Sequence, residues 1–308
     1  MLRRKRPDGA LVRDLPRLRR MLLHVIRRRN DAVVHYEQRL DLSATEDYLT
    51  RWNARPERAP LRLFHVLMAA LARTLHVRPH MNRFVLGSRL WQRSEVALSW
   101  SVVKERNDSG MMSSIKRTVG ADAGLSAIAA TLEGANGRAR DKRGITRVER
   151  EVAFLTGLPG PLTRLLVRAE ALVDRWNLLP RELIAVDPLH ASAMVSNLGS
   201  IGIDACWHHL FENGTVSIFL TIGRAEPMPF VRADGNLEVR RGVLLRFTFD
   251  ERVADGLYAA RSLAHFQELA EAPWLLESSD DNGPGAPVLR DGADDPIRHP
   301  DDATRSGA

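Results

Sequence analysis

The chain has 308 residues, 44% hydrophobic and 27% charged, a composition that excludes wholesale disorder and leaves room for a substantial core. Its single cysteine, Cys206, excludes an internal disulfide and a cysteine-rich zinc site, and fits a reducing, cytoplasmic setting. The net charge of +7 is uneven, with +9 in residues 1–30 and −4 in residues 278–308, and no aromatic residue interleaves the N-terminal arginines, so nucleic acid is not the expected partner.

Residues 1–14 are polar and basic and read as an extension ahead of the domain. Pro16 opens a helix running to about Arg29. Alternation from Ala32 to Leu40 predicts a strand, and Ser43 or Thr45 caps a short helix ending near Asn53. The segment Leu61–His76 is apolar around most of a helical circumference, which predicts burial against a sheet. Short strands are expected near 83–86, 89–92, 96–103 and 111–118, then a helix near 125–140. Residues 145–180 read as helical with a break at Gly157-Leu158-Pro159-Gly160-Pro161. A strand near 191–196 runs into Asn197-Leu198-Gly199. Two clean alternations follow, Val216/Ile218/Leu220/Ile222 and Val243/Leu245/Phe247/Phe249, and a helix over about 257–271. Residues 278–308 have the composition of a disordered acidic tail. The expectation is one α/β domain over 15–277, with a helical insertion at 145–180.

Directly after the last alternating strand comes Asp250-Glu251-Arg252-Val253-Ala254-Asp255-Gly256, a charged cluster at a strand mouth. Spacing alone gives a capped turn with Arg252 paired locally. The segment also resembles the Asp-His-Arg-x-x-Asp-Gly motif of the catalytic domain of dihydrolipoamide acyltransferases, the core of 2-oxo acid dehydrogenase complexes. Other stretches are similar to the same family in the same order: Arg78-Pro79-His80-Met81-Asn82, Ser196-Asn197-Leu198-Gly199, the strand Ser217–Gly223 and Ala272-Pro273-Trp274-Leu275-Leu276. The resemblance implies a chloramphenicol acetyltransferase-like α/β sandwich, a mixed sheet covered by helices, and acyl transfer between coenzyme A and a thiol or other acceptor. It implies Ser196 as hydrogen-bond donor to the oxyanion, and Asp255 as an anchor paired with Arg19 or Arg20. Asn197, Gly199, Arg252 and Gly256 are then structural positions of the motifs. A homotrimer with its site shared between neighbours is also implied, and no metal.

The chain departs from that pattern where it matters most. Glu251 stands at the position of the family's base histidine, and a carboxylate is about 4 pKa units below a thiol, poorly matched to deprotonating one. Three readings stay open: a transferase with a carboxylate base and weakened activity, a transferase with another base such as His35, or a non-catalytic trimeric scaffold or binding protein that keeps the fold. No lipoyl signature lies in the sequence, so free acyl-CoA or a lipoyl group on another protein must serve. For residues 145–180 a packed helical pair is expected ahead of a lid, an acyl-chain pocket or a hairpin touching a membrane surface. The run Cys206-Trp207-His208-His209 has no second ligand cluster at a familiar spacing and is not expected to bind metal.

Overall fold

The computed structural model describes residues 5–104, 112–140, 147–232, 234–278 and 281. The chain enters as a hairpin, β1 (Lys5–Arg6) and β2 (Gly9–Leu11), followed by helix α1 (Arg17–Val25), strand β3 (Val33–Asp41) and helix α2 (Ser43–Asn53). Helix α3 (Leu63–Val77) leads to strands β4 (Arg83–Leu86), β5 (Arg89–Arg93), β6 (Ala97–Val103) and β7 (Met112–Thr118). Helices α4 (Leu125–Arg140), α5 (Arg147–Thr156), α6 (Gly160–Arg175) and α7 (Arg181–Val186) come next. Strands β8 (Ala193–Asn197), β9 (Ile218–Val231) and β10 (Leu237–Asp250) precede the last helix, α8 (Gly256–Glu271).

The larger sheet has six strands in the order β3-β10-β9-β8-β6-β7. It is mixed, because β8 runs parallel to both β9 and β6 while the other neighbours are antiparallel. A smaller antiparallel sheet has the order β1-β2-β5-β4. One face of the large sheet is covered by α3, which is buried along nearly its whole length and packs against α4 and α8. Phe247, Leu245, Leu220 and Val195 point into that main core, so the apolar alternation read in the sequence is the core face of the sheet. The opposite face is crossed by residues 204–211: Leu210 and Phe211 pack with Met194 and Phe219, and Ala205 packs with Leu244.

Several expected boundaries moved for physical reasons. Helix α1 stops at Val25, and Arg29 turns inward instead, its guanidinium donating to the carbonyls of Phe211, Val85 and Gly214. Strands β9 and β10 run far past the expected Ile222 and Val243. Pro227 and Pro229 argue against a strand, yet they lie where β9 pairs only with β10 and has one free edge. The presumed N-terminal extension contributes β1 and β2 to the smaller sheet. Asp281, inside the expected tail, accepts from the backbone N–H groups of Leu125 (2.9 Å) and Ser126 (2.9 Å), and so caps α4. The rest of the expected tail from 282 onward, Met111 of the fourth short strand and the first residues of the insertion, 145–146, lie outside the described residues.

A buried polar clamp joins the N-terminal hairpin to the insertion and the sheet. Arg6 pairs with Asp8 (2.5 Å) and Asp174 (2.9 Å), Asp174 with His190 (3.1 Å), and His190 with Asp187 (2.5 Å). Burial works against a charged His190, but its hydrogen bonds to Asp174 and Asp187 outweigh this and raise its pKa above the ordinary value. Asp174 is held below the usual carboxylate range: burial opposes this, and the His190 hydrogen bond and the Arg6 charge prevail. A raised histidine stabilises the fold fully below its unfolded pKa, about 6.5, and that contribution is lost as pH rises through the folded value. A depressed aspartate behaves oppositely, losing its contribution as pH falls below about 4. Urea denaturation should therefore show wild type more stable than His190→Gln at pH 5.5, with the gap narrowing by pH 8.5. Asp174→Ala should cost about 3–5 kcal/mol, because it leaves buried Arg6 and His190 short of a counter-charge.

Candidate functional site

At the end of β10 the backbone N–H of Asp250 donates to the carbonyl of Ser217 (3.0 Å), which fixes the strand mouth against the start of β9. Asp250 is fully buried, and so is Arg252, which closes back on it through Nε (2.8 Å) and Nη2 (2.7 Å). The remaining Arg252 nitrogen donates to the carbonyl of Ile26 just past α1 (2.9 Å). Glu251 is left between these two residues. Its N–H donates to the carbonyl of Ala32 (2.9 Å), and its own carbonyl accepts from Arg19 Nη1 (2.7 Å). The Glu251 backbone is thus held at both ends, whereas its half-buried carboxylate has no hydrogen bond or ion pair among the described residues. Arg252 is committed to Asp250, not to Glu251.

Asp255 is the N-cap of α8, its carboxylate accepting from the N–H of Tyr258 (2.7 Å). It lies 4.0 Å from Arg19 Nη2, so a single arginine from α1 reaches both the Glu251 carbonyl and the Asp255 carboxylate. Arg20 instead donates to the carbonyl of Leu15. Gly256 is the first residue of α8.

Ser196 is half-buried near the end of β8, in register with Thr221 of β9. Asn197 caps the short turn that follows, its side chain accepting from the N–H of Ser200 (3.2 Å). Gly199 sits so close to β9 that a Cβ there would meet the carbonyl group of Gly223, its carbon 2.8 Å away. That approach clamps the turn carrying Ser196 onto the neighbouring strand.

Register fixes the separation of the two candidate groups. Ser196 is opposite Thr221, Thr221 is opposite Arg246, and Glu251 lies five residues beyond Arg246. Two strand spacings across and five residues along give roughly 20 Å between them. One chain does not bring Ser196 and Glu251 together.

His35 lies elsewhere on the sheet, opposite Thr248, with Nδ1 3.1 Å from its Oγ1 and its ring 5.0 Å from Trp207. Within the Cys206–His209 run the two histidine rings stack on each other at 4.5 Å. His208 stacks on Phe219 at 3.7 Å, and Trp207 lies under Arg246 at 4.9 Å. Among the described residues no group of three or more His, Cys, Asp or Glu side chains is placed to hold a metal ion.

One residue at the strand mouth was not singled out by the sequence. His80 stacks on Tyr258 at 4.5 Å, and its backbone N–H donates to the Tyr258 hydroxyl (3.2 Å). Burial, together with the charge of Arg83, lowers its pKa, keeping the imidazole neutral near pH 7. No short-range spacing signals this pairing, since the partners are 178 residues apart.

Residues 182–277, which include Ser196, Glu251 and Asp255, match the family described as 2-oxoacid dehydrogenases acyltransferase (catalytic domain). The fold is similar to that of the dihydrolipoamide acetyltransferase of Azotobacter vinelandii, with 18% identity, a TM-score of 0.57, and 87% of this chain and 94% of that one covered. It is likewise similar to a probable dihydrolipoamide acetyltransferase from Listeria monocytogenes 4b F2365, at 13% identity, TM-score 0.55, and 85% and 95% coverage. A third solved structure, the cubic core of the pyruvate dehydrogenase multienzyme complex, gives 16% identity, TM-score 0.56, and 87% and 94% coverage. The α/β fold expected from the sequence, a mixed sheet covered by helices, is the fold present, and it is shared with these acetyltransferase structures.

The glycine clamp under Ser196 has a measurable cost if filled. Gly199→Ala should destabilise by about 1–3 kcal/mol in urea, because the new methyl meets backbone that cannot step aside. Gly137→Ala, in the last turn of α4 with open space around it, should stabilise by up to about 0.5–1 kcal/mol.

Proposed function

We propose that this protein is an acyltransferase whose site is completed between two copies of the chain, moving an acyl group between coenzyme A and an acceptor thiol. The observation that carries this reading is the pairing of a family match over Ser196 and Glu251 with their separation in one chain: each is fixed at a strand end, and neither can serve the other within it. A heterologous contact in a closed trimer brings unlike surfaces of neighbours together and would unite them. The Azotobacter vinelandii enzyme is one in which a serine, a histidine and an asparagine were investigated for roles in catalysis, the last two being four positions apart. Glu251 and Asp255 have the same spacing.

In the proposed step the acceptor thiol gives its proton to the Glu251 carboxylate, and the thiolate attacks the thioester carbonyl of acyl-CoA. The oxyanion accepts a hydrogen bond from the Ser196 hydroxyl, a donor fixed before reaction and strongest where charge develops. Collapse breaks the carbon–sulfur bond to coenzyme A, whose thiolate takes the proton back from Glu251. As a residue class a carboxylate is a poorer base toward a thiol than an imidazole is. Activity is therefore weakened relative to a histidine base. The acyl donor would be free acyl-CoA or a lipoyl group carried by another protein.

A second reading of the base is favoured by one observation, the neutral imidazole of His80 stacked on Tyr258 three residues past Asp255. Thioester exchange measured with purified protein separates these. Ser196→Ala should lower kcat by about 10²–10³. Glu251→Ala should lower it by about 10²–10⁴, and Glu251→His should raise it above wild type at pH 7.5. If Glu251→Ala kept wild-type turnover while His80→Ala lost it, the proton would go to His80, and the rate would fall only at pH values below the ordinary histidine range. Turnover absent from wild type and every variant, with the assembly intact, would leave the scaffold reading.

A further inference from the structure

Helix α6 is docked the wrong way round for a helix of a water-facing domain. Its polar Asp174 points into the buried clamp with Arg6 and His190. Leu162, Leu165, Leu166, Leu172, Val173 and Trp176 are instead all 36–63% exposed. At 100° per residue these six fall within an arc of about 120°, one continuous stripe over the length of the helix. Phe154 of α5 is exposed nearby in sequence, at 66%. Helices α5 and α6 touch, the Thr163 hydroxyl donating to the carbonyl of Leu155 (2.9 Å), but the apolar face of α6 is turned outward. A contiguous exposed patch of this kind marks a docking surface.

The charges beside the stripe say what it docks on. Arg164, Arg168 and Arg175 lie along one flank of α6, and none has an ion pair among the described residues. Arg175 and Ala171 also line a cleft of about 590 Å³ with His24, Arg27, Arg29, Arg252 and the β4–β5 turn, in which Glu212 is the single acidic side chain among the described residues. Arg29 and Arg252 are already engaged by carbonyls and by Asp250, so they brace the cleft. Arg27 and Arg175 also line it and have no ion pair among the described residues. An apolar stripe thus runs beside a basic cleft, on a helix fixed from behind by a buried ion-pair network.

We propose that α6 and this cleft dock the protein peripherally on an anionic phospholipid surface. The stripe lies in the headgroup and acyl boundary, and the arginines sit against lipid phosphates. A second copy is a poorer occupant, because two copies meeting face to face here would set Arg164, Arg168 and Arg175 of one against the same arginines of the other. Among the described residues no helix is long and apolar enough to cross a membrane, so the contact is with one surface. This proposal does not depend on acyl transfer.

The test is flotation of the full-length protein with vesicles of phosphatidylglycerol and phosphatidylcholine, against vesicles of phosphatidylcholine alone. Wild type should float with the anionic vesicles only, and binding should weaken as salt shortens the screening length below about 10 Å. The double variant Leu165→Asp/Leu172→Asp should abolish flotation at low salt, and Arg168→Glu/Arg175→Glu should reduce it by more than about tenfold. All four positions are exposed, so both variants should melt with wild type. Absence of flotation with anionic vesicles overturns the proposal. So does competition by millimolar glycerol phosphate, which would make the cleft a site for a free phosphate ester. A stripe variant that floats like wild type but loses its oligomeric state would assign the stripe to contact between copies, and also overturns it.

Discussion

The buried ion pair between Asp250 and Arg252 is the constraint on which the strand mouth depends. Both groups are removed from water, with side chains 0% and 3% exposed, and removing one would leave the other uncompensated at a cost of about 3–5 kcal/mol. The pair folds the chain back over a single residue, so Glu251 must leave the sheet pointing elsewhere. It also reaches through Arg252 to Ile26, which holds the end of α1 at the same place and sets Arg19 beside Glu251 and Asp255. Helix end, strand end and candidate base are thereby one unit. The consequence for chemistry is that the nearest positive charge in sequence, Arg252, is spent on Asp250, leaving the Glu251 carboxylate without a partner among the described residues.

The oxyanion side of the proposed site is set by a different contact, the backbone approach of Gly199 to Gly223. Together the two constraints make both halves rigid and keep them apart, since hydrogen-bond register leaves no freedom to slide Ser196 toward Glu251. A rigid separation of roughly 20 Å is a liability for a site within one chain, but suits a site assembled across an interface. The insertion adds a third element, anchored to the same body through Asp174, whose outward face does not serve the core.

Much of the fold was legible because its signals are local. Helix α4 falls over Leu125–Arg140 as expected, and strands β4 to β7 fall within a residue or so of their alternations, because burial on one face of a sheet or helix writes a period into the chain. The charged turn after Phe249 was legible as a motif. What was hidden depends on partners far away in sequence. The N-terminal hairpin looks like a solvated basic arm until Arg6 finds Asp174, 168 residues later. His80 acquires its setting from Tyr258. The prolines of β9 count against a strand unless one knows that its other edge is free. The helical character of α6 was legible, but a hydrophobic stripe has no sign: it is the same whether it faces the core or solvent, and only the buried position of Asp174 decides.

The claim that Glu251 and Ser196 act together from different chains is tested most directly by mixing two inactive variants. Ser196→Ala and Glu251→Ala proteins would be unfolded and refolded together, and the mixture assayed for thioester exchange. A site that takes its serine from one copy and its carboxylate from the next should regain roughly a quarter of the wild-type rate at equal mixing, because that share of interfaces unites the two intact residues. Reassembled mixtures that show only the residual rates of the separate variants, while wild type recovers under the same treatment, would contradict it.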